Sequence, residues 1–180
     1  IRIWGSNTVF EHCVILYGGG NQWNDGAITI ENSGSNIENV LFEHNIVALT
    51  LDSGGNSLKN ITFTNNVIPI EMPFWLNTSD TLDISGNTFD AIYMTGGGTD
   101  SSFVGSIEWF CPRPHVLTGW VTLGRNTELV LGPGVGVKVK GYLGVRLNRD
   151  ASDVGAKITL TSPDNYFTSY KDHERGGQVD

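Results

Sequence analysis

The chain has 180 residues and a mass of 19.6 kDa, room for one ordinary domain or for part of an elongated repeat protein. Lys and Arg number 11 against 19 Asp and Glu, and the resulting net charge of −8 argues against nonspecific binding to nucleic acid or to an anionic membrane. At 39% hydrophobic residues with five Trp and eight Phe, the chain is too apolar for disorder, and no apolar run is long enough to insert into a bilayer.

The chain opens directly on alternation at Ile1 and Ile3, with no leader-like segment, and closes on a loop-like Gly/Gln stretch at 176–180. Both ends read as cuts through a longer polypeptide. Four segments then align without gaps: NTVFEHCVI at 7–15, NVLFEHNIV at 39–47, NITFTNNVI at 60–68 and TLDISGNTF at 81–89. Their starts differ by 32, 21 and 21 residues, so the Gly/Asn-rich stretch at 18–26 is expected to be an insertion of 11. A second short strand follows at Ala27–Ile30, Ala48–Leu51 and Ala91–Met94.

Each segment alternates with period two, and Asn, Gly, Asp and Ser separate the strands. A unit of about 21 residues cannot bury its apolar side alone and must stack on its neighbours, which predicts an all-β parallel β-helix without substantial helix. Asn45, Asn66 and Asn87 form one column, with Cys13 in the first unit. Asn at a corner supplies a left-handed backbone and side-chain hydrogen bonds along the stack. His12 and His44 fall in the adjacent column, where a solvated or stacked pair is expected and no third metal ligand is evident. Cys13 and Cys111 fit no zinc spacing. The expectation is two buried thiols, with a disulfide left open by the sequence.

Texture changes near 105–112, where Pro112 and Pro114 interrupt the strand pattern. Residues 1–106 read as Asn-rich coils ending one module. Residues 107–180 read as Val/Gly-rich strands that open a second module or continue the same solenoid. The run HVLTGWVTL…LVLGPGVGVKVKG…LGVRL…NYFTSYKDHERGG (115–177) resembles the opening coils of large bacterial and archaeal surface proteins built from right-handed parallel β-helices. The segment FEHCVILYGG (10–19) and the Asn-rich coils resemble a later part of that architecture. The resemblance implies a right-handed β-helix placed outside the cell. The order of the pieces, ending before opening, implies a tandem array or a fibre sampled out of phase.

Chemistry is sparsely signalled. The loop Lys171–Arg175 holds the densest charge, and Asp172, Glu174 and Asp180 are candidate Ca²⁺ ligands without the spacing of a dedicated calcium loop. Asp52, Asp80, Asp83 and Asp90 are scattered, and no nucleophile-elbow, zinc-protease or phosphate-loop motif is present. Asn60-Ile61-Thr62 and Asn77-Thr78-Ser79 match the N-glycosylation acceptor pattern. Among the aromatic residues, Trp23 in the insertion and Trp75 in the irregular Met72–Trp75 corner are candidates for stacking on sugar rings. The sequence therefore points to a non-catalytic structural or adhesive module with no cofactor. Its expected partners are copies of itself stacked end to end or in tandem, without nucleic acid or membrane insertion. A carbohydrate-binding module, or a polysaccharide lyase or hydrolase, is the alternative.

Overall fold

In the computed structural model the described residues are 1–4, 7–19, 26–31, 34–99, 105–147 and 155–174. Among them there is no helix, and every strand pair is parallel. One sheet has eight strands, in the order Arg2–Trp4, Ile28–Glu31, Val47–Leu51, Ile68–Pro73, Ile92–Thr95, His115–Leu117, Gly136–Val139 and Tyr166–Ser169. A second sheet stacks Val9–Glu11 and Val14–Leu16 on Asn36–Glu43, then Ser57–Thr64, then Leu82–Ile84. Two three-stranded sheets complete the fold. One joins Gly105–Trp109, Thr127–Leu131 and Lys157–Leu160; the other joins Gly97–Gly98, Val121–Leu123 and Val145–Leu147. The eight-stranded ladder passes from Ile92–Thr95 to His115–Leu117 without interruption, so it spans the change in texture.

Alternation decides which side chains go inside. Ile28, Ile30, Leu49, Leu51, Ile70 and Met72 from the long sheet meet Ile37, Phe42, Ile61, Phe63 and Ile84 from the second sheet in one buried cluster. Like side chains stack on successive passes: the rings of Phe42 and Phe63 lie 5.1 Å apart and nearly parallel. Burying each such Leu, Ile or Phe contributes about 1.5–3 kcal/mol.

The strands Asn36–Glu43 and Ser57–Thr64 are bent in the middle. Asn39 (φ 55°) and Asn60 (φ 52°) take the left-handed conformation, which breaks the alternation so that Ile37 and Val40 both face inward, as do Leu58 and Ile61. A second left-handed position follows five residues later, at His44 (φ 57°), Asn65 (φ 55°) and Gly86 (φ 74°). The left-handed corner residue is therefore the one before each of Asn45, Asn66 and Asn87, not the Asn itself.

This double corner corrects the alignment of the first segment. His12 (φ 51°) and Tyr17 (φ 53°) are its two left-handed residues. Val14, Ile15 and Leu16 pair with Leu41, Phe42 and Glu43, which puts Cys13 in line with Val40. Gly18, and not Cys13, occupies the position of Asn45, 27 residues away. His12 is in line with Asn39, while His44 is in line with Tyr17, on which its ring stacks at 5.2 Å. The two His therefore do not share a column. The insertion is also shorter than 11 residues, since the first interval is 27 where the next is 21. A segment with one recognisable corner matches either corner of its neighbour, and the Phe-Glu-His text matched the wrong one.

The Asn column is a hydrogen-bonded ladder inside the corner. Asn66 Oδ1 accepts from Asn45 N and Asn45 Nδ2, both at 2.9 Å. Asn87 Oδ1 accepts from Asn66 N at 3.0 Å and Asn66 Nδ2 at 2.9 Å. Each Nδ2 also donates to main-chain carbonyls that the bend leaves open, Phe42 O and Thr64 O in the case of Asn66. Asp90 closes the series by accepting from Asn87 N, Asn87 Nδ2 and Gly86 N.

Asn66 is wholly buried. Asn66→Ala strands donors on one pass and acceptors on another, and is expected to cost about 3 kcal/mol or more. Ser57→Ala, on an exposed strand position, should stay within about 0.5 kcal/mol of the parent. Urea denaturation of the two variants checks the difference, and equal costs would remove the ladder's claim to importance.

Candidate functional site

The strand Ile68–Pro73 ends at a proline, which has no N–H to continue the ladder. The chain turns there, with Leu76 N donating to Pro73 O at 3.1 Å. Phe74 goes into the core, and its carbonyl accepts from Trp109 Nε1 at 3.2 Å. Trp75 is half-buried, edge-on to Phe74 at 5.3 Å. Gly97 (φ 151°) lies against it: a Cβ there would sit 2.8 Å from Trp75 Cζ3, so the close approach requires glycine. Thr78 then pairs with Trp109 across the gap between two sheets, and Asn77 Oδ1 accepts from Glu108 N at 2.8 Å.

These elements frame a groove of about 610 Å³. Its floor includes Leu58, Trp75 and Leu76, and its rim carries Asn56, Asn77, Asp80 and Glu108. No lysine, arginine or histidine lines it. Asn56 is occupied on both sides, accepting from Ser35 N and donating to Ser53 O.

Below the groove is a buried polar cluster. His115 is fully buried and stacks on Trp109 at 4.8 Å. Its Nδ1 lies 2.9 Å from Arg113 O, which can only accept, so Nδ1 carries the hydrogen and Nε2 accepts from Thr78 Oγ1 at 3.0 Å. Burial holds the imidazole neutral and lowers its pKa to about 3, although the Arg113 carbonyl favours the charged form. Burial likewise pushes the Cys111 thiol up to about 12, with Sγ directed at Leu82 O. Cys13 and Cys111 are both free, the first half-buried and the second buried.

The remaining residues singled out from sequence are dispersed. Trp23 and Asp180 lie outside the described residues. Asp172 is spent on its own loop, where Oδ2 accepts from Thr168 Oγ1 and Oδ1 from Glu174 N, and the loop already receives the Lys138 ammonium on Asp172 O at 2.6 Å. Glu174 is exposed, and no group of three metal-ligating side chains occurs among the described residues. Trp109 and Tyr93 are buried. Trp120 is half-exposed with the Arg146 guanidinium over its ring, and Trp4 lies at the outermost strand of the long sheet. Of the two acceptor patterns, Thr78 is buried beneath Asn77, while Asn60 donates to Asn39 Oδ1 on a strand. Asp52 is raised above the usual carboxylate range, mainly by partial burial and then by Glu31. Sequence reasoning found Trp75 but missed Glu108, His115 and the capping role of Asp90.

Comparison with protein-family models, with curated proteins and with solved structures finds no match.

The unfolded chain takes up a proton near pH 6.5 that folded His115 refuses until about pH 3. Stability from this residue is therefore present above pH 6.5 and is lost as pH falls, at up to about 1.4 kcal/mol per pH unit. Denaturant titrations at pH 7 and pH 5 should show that His115→Gln loses less stability than the parent, by about 2 kcal/mol. Identical losses would show that the imidazole does not carry the effect.

Proposed function

We propose that the chain is a right-handed parallel β-helix and serves as a non-catalytic structural or adhesive module outside the cell, built to continue end to end with copies of itself. The parallel register of 21 residues between Asn36–Glu43 and Ser57–Thr64, with like residues in columns over a single core, supports the solenoid reading. Handedness and extracellular placement rest on the resemblance of residues 115–177 to surface β-helix proteins. The groups with the most altered protonation, His115 and Cys111, lie in the core and not in a groove, which favours a structural role for them.

The carrying observation is the state of the two ends. Arg2–Trp4 pairs only with Ile28–Glu31, and Tyr166–Ser169 only with Gly136–Val139, so each leaves one main-chain edge unpaired among the described residues. Core-facing Ile3, Phe10 and Ile15 line one terminal pass, and Ile158, Leu160 and Phe167 the other. Ile1 and Trp4 are 72% and 75% exposed at one end, and Leu160 and Phe167 are 50% and 44% exposed at the other. The two ends differ from one another, so joining them is a head-to-tail contact that propagates instead of closing.

Sedimentation and electron microscopy test this. The parent is expected to form linear assemblies as concentration rises, and Phe167→Lys, which charges one end, should shift the material to monomer. A parent that stays monomeric at about millimolar concentration, far above the range in which specific contacts associate, would refute the assembly.

A further inference from the structure

We propose that the groove beside Trp75 binds a sugar chain that carries no acidic groups, with the indole as stacking surface and the Asp80 and Glu108 carboxylates accepting hydroxyl hydrogens. Such a ligand would give the adhesive role its chemistry, whether or not the chains assemble end to end.

Three observations converge on this class. The groove, at about 610 Å³, is in the size range of small-molecule sites and mixes an apolar floor with a polar rim. A sugar ring has the same division, with C–H groups on its faces and O–H groups around its edge. The electron-rich face of an indole attracts polarised C–H groups. Trp75 is held by Phe74 on one side and by Gly97 at its six-membered ring, so the stacking surface is rigid before a ligand arrives.

The hydrogen-bonding groups on the rim are also specific. The Glu108 carboxylate makes no hydrogen bond or ion pair among the described residues, while its main-chain N–H is fixed by Asn77 Oδ1. Asp80 accepts only a long bond, 3.4 Å, from Ser79 Oγ. The rim therefore holds acceptors awaiting donors, which neighbouring hydroxyls of a sugar supply in pairs. With two carboxylates and no cation lining it, the groove repels phosphates, sulfates and uronates.

Calorimetric titration with hexasaccharides of glucose, mannose, xylose and N-acetylglucosamine, and with hexagalacturonate as the acidic probe, tests the assignment. At least one uncharged hexasaccharide should bind, and hexagalacturonate should not. Trp75→Ala should weaken binding about tenfold or more, and Glu108→Gln, which preserves shape, about threefold. Because Trp75 also packs on Phe74, the Glu108→Gln arm decides if the Trp75 variant does not fold. No binding of any uncharged hexasaccharide at about 10 mM, unchanged affinity in Glu108→Gln, or tighter binding of the acidic probe would each overturn it. Linear assembly without sugar binding would defeat only the groove assignment, and sugar binding by a strict monomer would defeat only end-to-end growth.

Discussion

Parallel pairing between successive passes of the chain constrains everything else in this molecule. A parallel ladder repeats at about 4.8 Å and sets each residue beside its counterpart one pass away. Whatever a position does is then done next to a copy of itself. Phe42 meets Phe63, Asn45 meets Asn66, and Glu38 meets Lys59, whose ammonium lies 2.7 Å from the Glu38 carboxylate. Apolar columns gain from this repetition. Charged columns must alternate in sign or diverge, as Glu128 and Lys157 do at 2.9 Å.

The same constraint explains how polar groups enter the interior. At the corners the chain bends out of the ladder, and carbonyls such as Phe42 O and Thr64 O lose their strand partners. A side-chain amide has the donors and the acceptor to repair two passes at once, which no apolar residue can do. The row on the other side of the long sheet is also buried at Thr29, Thr50, Glu71, Tyr93, Val116 and Lys138, so this sheet is covered on both faces over much of its length. Lys138 meets this cost by donating to the Asp172 carbonyl.

The strand content, the parallel pairing and the 21-residue spacing were legible because period-two alternation is strong in 39–47 and 60–68 and the Asn recur at one interval. The register of the first segment was not legible. Two left-handed corners five residues apart look alike in sequence, and only the inward sets Phe10, Cys13, Ile15 and Ile37, Val40, Phe42 distinguish them. The later intervals of 22 to 30 residues were hidden because Gly and Val mark corners and strands less sharply than Asn and Phe. Trp75 stood out by interrupting a pattern. Glu108 carried no local signal, since it reaches the groove from 31 residues beyond Asn77.

The amide column that ends at Asp90 has a further consequence. Every bond in it runs the same way, from the donor on one pass to the oxygen on the next, so the side-chain dipoles add instead of cancelling. The row acquires a polarity like that of a helix, positive where Asn87 offers its N–H groups, and Asp90 places a full negative charge at that pole. A single carboxylate thereby acts as a terminator for the whole file of amides. A duplicated unit inserted upstream of it would inherit a finished terminus.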